Sequence, residues 1–195
     1  MKLSHLILIP LASALTACAS SQTGHSEHSD TSSLANISVP VIKSVHKPNA
    51  PIVPSLEELQ AQKMDKMIDY ARQFMGTKYV WGGASPKSGF DCSGYIKYVY
   101  NQFDISIPRT TASYPSLYER KVTLKEAKPG DLIVFTGTNP KIRKPGHAGI
   151  VTANANGKLT FIHSSSSKKH FGVTETNYYQ SGYPRRFLAV IRMNG

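Results

Sequence analysis

The sequence predicts an α+β domain, with helices first and an antiparallel β-sheet after them. Two observations predict the class and a third bounds the size. Apolar residues recur at helical spacing across residues 55–103, then at the shorter period of strands from residue 131 onward. Helices followed by a run of strands is the order of an α+β domain. Roughly the last 140 of the 195 residues carry this patterning, a length that closes a core without disulfide or metal.

Residues 1–17 read as a secretory signal, with Lys2 near the start and an apolar run over residues 6–15. The run is too short to span a bilayer permanently. It ends in Leu15-Thr16-Ala17-Cys18, which resembles the lipobox of bacterial lipoproteins. The resemblance implies cleavage before Cys18 and acylation of its sulfur and new amino group. Ala19 and Ser20 stand where an aspartate would signal retention at the inner membrane. The implied address is the outer membrane, on its periplasmic face.

Residues 18–54 then comprise the lipidated cysteine and a tether rich in Ser, Thr, His, Asn and Pro. As flexible coil, about 36 residues span ~30–35 Å, so the domain can leave the membrane surface and stay near it. His25 and His28 in this stretch read as solvated side chains. The formal net charge of +11 suits an anionic polymer or surface, and an export signal argues against nucleic acid as that polymer. The chain has two cysteines. With Cys18 lipidated, Cys92 is an unpaired thiol in an oxidising compartment, which marks it as reactive and leaves no intramolecular disulfide.

The domain proper covers residues 55–195. Ser55 and Glu58 form a capping box that starts a helix. Met64, Met67, Ile68, Ala71, Phe74 and Met75 keep the helical period as a core stripe, and Gly76 is the natural stop. Tyr79-Val80-Trp81-Gly82-Gly83 reads as a short extended piece ending in a turn. The stretch Gly89-Phe90-Asp91-Cys92-Ser93-Gly94 then opens a second helix, whose apolar stripe is Tyr95, Ile96, Val99, Tyr100 and Phe103. Asp91 and Ser93 flank its start as cap-forming residues do. Cys92 thus stands at a helix N-terminus, where the dipole favours the thiolate that is the nucleophile in cysteine chemistry. The competing reading is a small buried structural cysteine. Residues 131–136, 147–152, 158–163 and 187–192 are short strand-like runs bounded by Gly, Asn, Pro and Ser.

A cysteine nucleophile needs a base in reach and a third group to orient the base. Within residues 55–195 the imidazoles are His147, His163 and His170. His147 opens one predicted strand between Gly146 and Gly149, and His163 closes the next. A lone strand histidine is ordinarily a core residue; two on paired strands with a helix-capping cysteine keep Cys–His catalysis open beside it.

Six elements then occur in one order: Tyr79-Val80-Trp81-Gly82-Gly83, Asp91-Cys92-Ser93-Gly94, Pro108-Arg109-Thr110, Lys128-Pro129-Gly130-Asp131-Leu132, Gly146-His147-Ala148-Gly149-Ile150 and Phe161-Ile162-His163. In content and order they resemble the NlpC family of cell-wall cysteine peptidases, from about residue 60 to the end of the chain. The resemblance implies a papain-like fold, helices packed on an antiparallel sheet, and cleavage of peptidoglycan stem peptides without metal or organic cofactor. It implies Cys92 as nucleophile, His147 as general base and then acid, and His163 as the orienting third member. It also implies that Tyr79 contacts substrate or stabilises the oxyanion, and that Asp91 and Ser93 contact the stem peptide. Many members carry a glutamine soon after the Pro-Arg-Thr element, and Thr111-Ala112-Ser113-Tyr114-Pro115 has none. The basic loop over residues 137–145, with Lys141, Arg143 and Lys144, has no counterpart in the resemblance and reads mainly as a solvated face.

The expectation is therefore a monomeric, lipid-anchored murein endopeptidase. A non-catalytic wall-binding lipoprotein is the alternative from another class. Circularly permuted acyltransferases of the wider clan place histidine before cysteine, the reverse of the order here. Family members cut either between D-glutamate and the diamino acid or at the diamino acid–D-alanine cross-link.

One structural condition follows for the triad. A two-residue turn at Asn156-Gly157 would pair Ile150 with His163 and set the two histidines on opposite faces. Pairing Thr152 with Lys158 instead would bring His147 directly opposite His163. The triad therefore requires a longer, odd-numbered loop or a bulge of equal effect.

Overall fold

The structure is a computed structural model that describes residues 53–168 and 170–193. The expected signal peptide, Cys18 and the tether up to residue 52 lie outside the described residues. Among those described, no helix is long and apolar enough to cross a membrane.

Ser55 starts the first helix. Its hydroxyl accepts from Glu58 N at 3.2 Å while the Glu58 carboxylate accepts from Ser55 N at 2.7 Å, which completes the capping box of α1 (Leu56–Arg72). Met64, Met67, Ile68 and Ala71 are its buried stripe. The helix ends at Arg72, short of Gly76, and the chain reverses at Gly76 with φ 81°. Met75 is 48% exposed there, so it is not part of the core stripe. With helical backbone already lost, its side chain turns to solvent.

A small hairpin, β1 (Ala84–Ser85) with β2 (Gly89–Phe90), delivers the chain into α2 (Cys92–Asn101). Tyr95, Ile96, Val99 and Tyr100 are fully buried, each stabilising the fold by ~1.5–3 kcal/mol. Two buried hydroxyls fix the helix in place: Tyr95 Oη donates to Ala71 O at 2.9 Å and Tyr100 Oη to Gly130 O at 3.0 Å. Gly94 presses against the Gly83 carbonyl, where a Cβ would collide with backbone. This close approach explains a glycine in the first turn of a helix.

A 3₁₀ segment (Thr111–Arg120) leads into β3 (Lys121–Val122), β4 (Leu132–Thr136), β5 (Pro145–Ala155), β6 (Lys158–Ser167), β7 (His170–Asn177) and β8 (Phe187–Ile191). These six strands form one antiparallel sheet in the order β3-β8-β4-β5-β6-β7. The expected meander is present as β4 to β7, with β8 returning beside β4. One face packs on α1 and α2 through Leu132, Val134, Ile150 and Ile162. The other buries Ile133, Phe135, Val151 and Phe161 beneath Tyr178, Tyr183 and Phe187. Both faces of β4 are covered, so Leu132-Ile133-Val134-Phe135 is a continuous apolar run rather than an alternation.

The β5–β6 connection decides where the histidines point. The turn is the two-residue one, Ala155 pairing Lys158 around Asn156 (φ 52°) and Gly157 (φ 70°). The expected longer loop is therefore absent, because Asn-Gly satisfies the tight hairpin turn at no steric cost. A bulge supplies the missing residue instead: Val151 pairs Phe161 but Ala153 pairs Thr160, which leaves Thr152 extra. The Thr152 hydroxyl donates to the Glu175 carboxylate and meets the Thr160 hydroxyl at 2.9 Å. Beyond the bulge Ile150 pairs Ile162. Continued, that register sets His147 opposite Ser165 and diagonal to His163, on one face but not directly across.

Candidate active site

Asp91 gives α2 its start and the cleft its floor. Its Oδ1 accepts from Gly94 N at 2.6 Å as the N-cap, and from the Ser93 hydroxyl at 3.2 Å. Arg109 completes the cluster: Nη2 lies 2.9 Å from Asp91 Oδ2, Nη1 donates to Asp91 Oδ1 and Ser93 Oγ at 3.1 Å, and Nη2 also donates to Gly82 O at 3.0 Å. The Asp91 and Ser93 side chains are thus largely engaged with each other and with Arg109. The Pro-Arg-Thr element ties the Gly82-Gly83 turn to the start of the cysteine helix.

Cys92, Tyr79, Trp81, Asp91, Ser93 and His147 line one cleft of about 660 Å³, with Arg109, Thr111, Thr138 and Arg186 at its edges. Trp81 is 89% exposed at the rim. The structure therefore brings five of the six expected domain site residues, Tyr79, Asp91, Cys92, Ser93 and His147, to a single surface depression. His163 stands behind His147, and Cys18 lies outside the described residues. His170 is exposed and takes no part in the relay. The basic loop over residues 137–145 borders the cleft through Gly137 and Thr138, and Arg143 donates to the carbonyls of Arg185 and Phe187.

The thiol departs from the sequence expectation. Burial pushes Cys92 up to about 11, the Asp91 charge adds to this, and N–H groups of Ser93, Ala148 and Cys92 itself pull the other way. The helix start does favour the anion, but desolvation outweighs it, and the resting sulfur is a thiol. The Ala148 hydrogen bond sets the sulfur beside the residue that follows His147.

His147 is 7% exposed and His163 1%. His147 Nε2 lies 2.9 Å from His163 Nδ1, and His163 Nε2 lies 3.0 Å from Thr176 Oγ1 on β7. Burial, the His163 ring and the Arg186 charge hold His147 well below the usual histidine range. Burial first, then Arg186 and His170, bring His163 down to about 3. Both imidazoles are therefore neutral bases at rest. Tyr79 is raised by burial and then by the Cys92 and Asp91 charges, and its side chain lines the same cleft as the thiol.

Three residues at this site escape sequence reasoning. Tyr183 stacks on His147 at 5.6 Å with rings 26° apart, and its Oη reaches His147 Nε2 at 3.3 Å. Arg186 lies over the Tyr183 ring, 4.9 Å from its centroid, and lines the same cleft. Thr176 ends the relay. Tyr183 and Arg186 sit in a short 3₁₀ turn with no period to announce them, and β7 is hidden by Gly172 at φ 102°. The Val173–Thr174–Thr176 β-branched run was the one available signal. Among the described residues no group of three His, Cys, Asp or Glu side chains is placed to hold a metal ion.

Comparison with known proteins adds the lineage. The NlpC/P60 family model matches residues 76–192. The gamma-DL-glutamyl hydrolase of Bacillus subtilis (strain 168) is 32% identical over 134 residues, covering 68% of this chain and 30% of that protein. The murein DD-endopeptidase MepH of Escherichia coli (strain K12) is 33% identical over 129 residues, 64% of this chain and 45% of its own length. The chain thus spans less than half the length of either relative. The crystal structure of an NlpC/P60 family protein from Bacillus cereus ATCC 10987 superposes with a TM-score of 0.57 at 26% identity, over 67% of this chain and 40% of that one.

Proposed function

The chain belongs to the NlpC/P60 family, with its papain-like α+β fold, and on that footing we propose that it is a cysteine peptidase cutting amide bonds in murein stem peptides or their cross-links. The observation that carries the reading is the buried relay from His147 through His163 to Thr176, opening onto the Cys92 cleft. The name of the murein-acting relative supports the substrate class.

The geometry supports one protonation pattern for catalysis. In the tautomer that serves a base, His163 Nε2–H would donate to Thr176 Oγ1 across 3.0 Å, which would leave His163 Nδ1 to accept from His147 Nε2–H across 2.9 Å. His147 Nδ1 then carries the free lone pair that takes the thiol proton. Thiol raised and imidazole lowered means that the resting pair is uncharged, so the proton moves as sulfur attacks the amide carbon. A C–S bond forms, and the carbonyl oxygen becomes an oxyanion facing the N–H groups at the helix start and the Tyr79 hydroxyl. His147 returns the proton to the departing amine as the C–N bond breaks. Water activated by the same imidazole then hydrolyses the thioester.

Leu15-Thr16-Ala17-Cys18, followed by Ala19 and Ser20, supports a lipid anchor at Cys18 and residence at the periplasmic face of the outer membrane. Digestion of purified sacculi, with mass spectrometry of what is released, tests the activity. New amino termini within stem peptides or cross-links are expected, and their position identifies the bond. Sacculi that bind the protein but remain uncut would make it a wall-binding scaffold.

A further inference from the structure

Two guanidinium groups line the Cys92 cleft, and only one has a counter-ion. Arg109 is paired with Asp91 at 2.9 Å. Arg186 has no carboxylate within ion-pair distance among the described residues; its Nη2 donates to Thr136 O at 2.9 Å, and its Nε is buried with no hydrogen-bond partner. The group is half-buried and packed over Tyr183. Its charge also opposes protonation of both histidines. An unpaired, partly desolvated cation beside the general base is unfavourable for the free protein, and such conflicts concentrate where a ligand resolves them.

The surroundings indicate which ligand. From His147 the cleft continues, away from Asp91, into a hollow lined by Thr138, Ser165, Ser166, Tyr183 and Arg186. It then opens into a wider one of about 680 Å³ that reaches Arg185 and Gln180. Arg186 lines all three. Ser166 is exposed at the junction, and Arg185 is exposed beyond it. Among the described residues no acidic side chain lines the cleft or the first hollow except Asp91, which Arg109 already neutralises. Glu175 lines the wider hollow, where Arg72 lies 3.3 Å from it. A planar guanidinium that shares a hollow with a hydroxyl and no unpaired acid matches a carboxylate.

We propose that Arg186, with Ser166, forms a carboxylate-binding subsite on the side of the scissile bond away from Asp91. The preferred substrate then carries a free carboxylate on the residue seated there. The inference rests on the peptidase reading for its substrate class. In a murein stem that group is either the free carboxyl of the diamino acid or the terminal carboxyl of D-alanine.

Calorimetric titration of the full-length Cys92→Ala protein tests this without turnover. Three synthetic stem peptides are compared: one with both carboxylates, one amidated at the diamino acid, and one amidated at the terminal D-alanine. One amidation should weaken binding about tenfold or more, the scale of one charge-assisted hydrogen bond, and the sensitive peptide identifies the source. Adding Arg186→Gln should reduce that ratio to about one, and Arg186→Lys, which keeps charge but not the fork, should leave part of it. Equal affinity for all three peptides would overturn the subsite, as would a ratio unchanged in Arg186→Gln. The unaltered enzyme is assayed in parallel. Discrimination without hydrolysis would keep the subsite and remove the peptidase reading; hydrolysis without discrimination would do the reverse.

Discussion

Replacing His163 with alanine should separate orientation of the base from its chemistry. His163 is 1% exposed, and its Nδ1 sits 2.9 Å from His147 Nε2. When His147 takes the thiol proton, that contact becomes charge-assisted, worth about 1.5–3 kcal/mol. At about 1.36 kcal/mol per decade, His163→Ala should lower kcat/KM on a stem peptide by roughly 10- to 150-fold. His163→Gln, which retains an accepting oxygen, should recover much of the loss. Tyr183→Phe removes a longer contact of 3.3 Å and should cost less than His163→Ala. Loss of the buried ring should also destabilise the fold by ~2–5 kcal/mol, so rates are compared at a temperature where circular dichroism shows each variant folded. A His163→Ala enzyme within about twofold of the parent would refute the orienting role. So would a glutamine variant as slow as the alanine one.

Stability should peak between about pH 6.5 and 9. His163 is lowered from 6.5 to about 3, and His147 is also lowered, so below pH 6.5 the unfolded chain binds protons that the folded one refuses. Stability should then fall with acid by up to about 1.4 kcal/mol per pH unit for each histidine. Cys92 is raised from 9.0 to about 11, so the unfolded chain loses its proton first and stability falls above pH 9. Urea midpoints across pH should show both limbs, and Cys92→Ala should lack the alkaline contribution; an unchanged alkaline limb would contradict the buried thiol. Added salt should weaken binding to sacculi while leaving turnover of a small stem peptide nearly constant, because long-range attraction from a net charge of +11 is screened. Equal loss on both substrates would put the electrostatics in the cleft. Cys18→Ser should yield a soluble, active periplasmic protein, and an inactive but folded one would assign Cys18 more than anchoring.

The residues that were legible in the sequence are those whose roles are local. Ser55 and Glu58 predict a capping box because its partners lie three residues apart, and Asp91 predicts the start of α2 for the same reason. Cys92, His147 and His163 can be singled out in the sequence because each sits within a short recognisable motif. Tyr183, Arg186 and Thr176 meet His147 and His163 only through the tertiary fold, across 3₁₀ turn and edge strand, and no local period records that. Thr152 illustrates the limit: the triad demanded a parity change somewhere between the histidines. Whether loop or bulge supplied it depended on Thr160 and on Glu175, a residue from a strand the pattern did not reveal. The thiol differs from the expectation because a helix dipole is visible in sequence and desolvation is not.

The most direct measurement is parallel turnover of one defined stem peptide by the parent and Cys92→Ala proteins, with binding to the same peptide recorded for both. The parent should hydrolyse the peptide while the alanine protein, folded and still binding, releases no product above the uncatalysed rate. Product formation by Cys92→Ala at a rate comparable to the parent would contradict nucleophilic catalysis by this thiol.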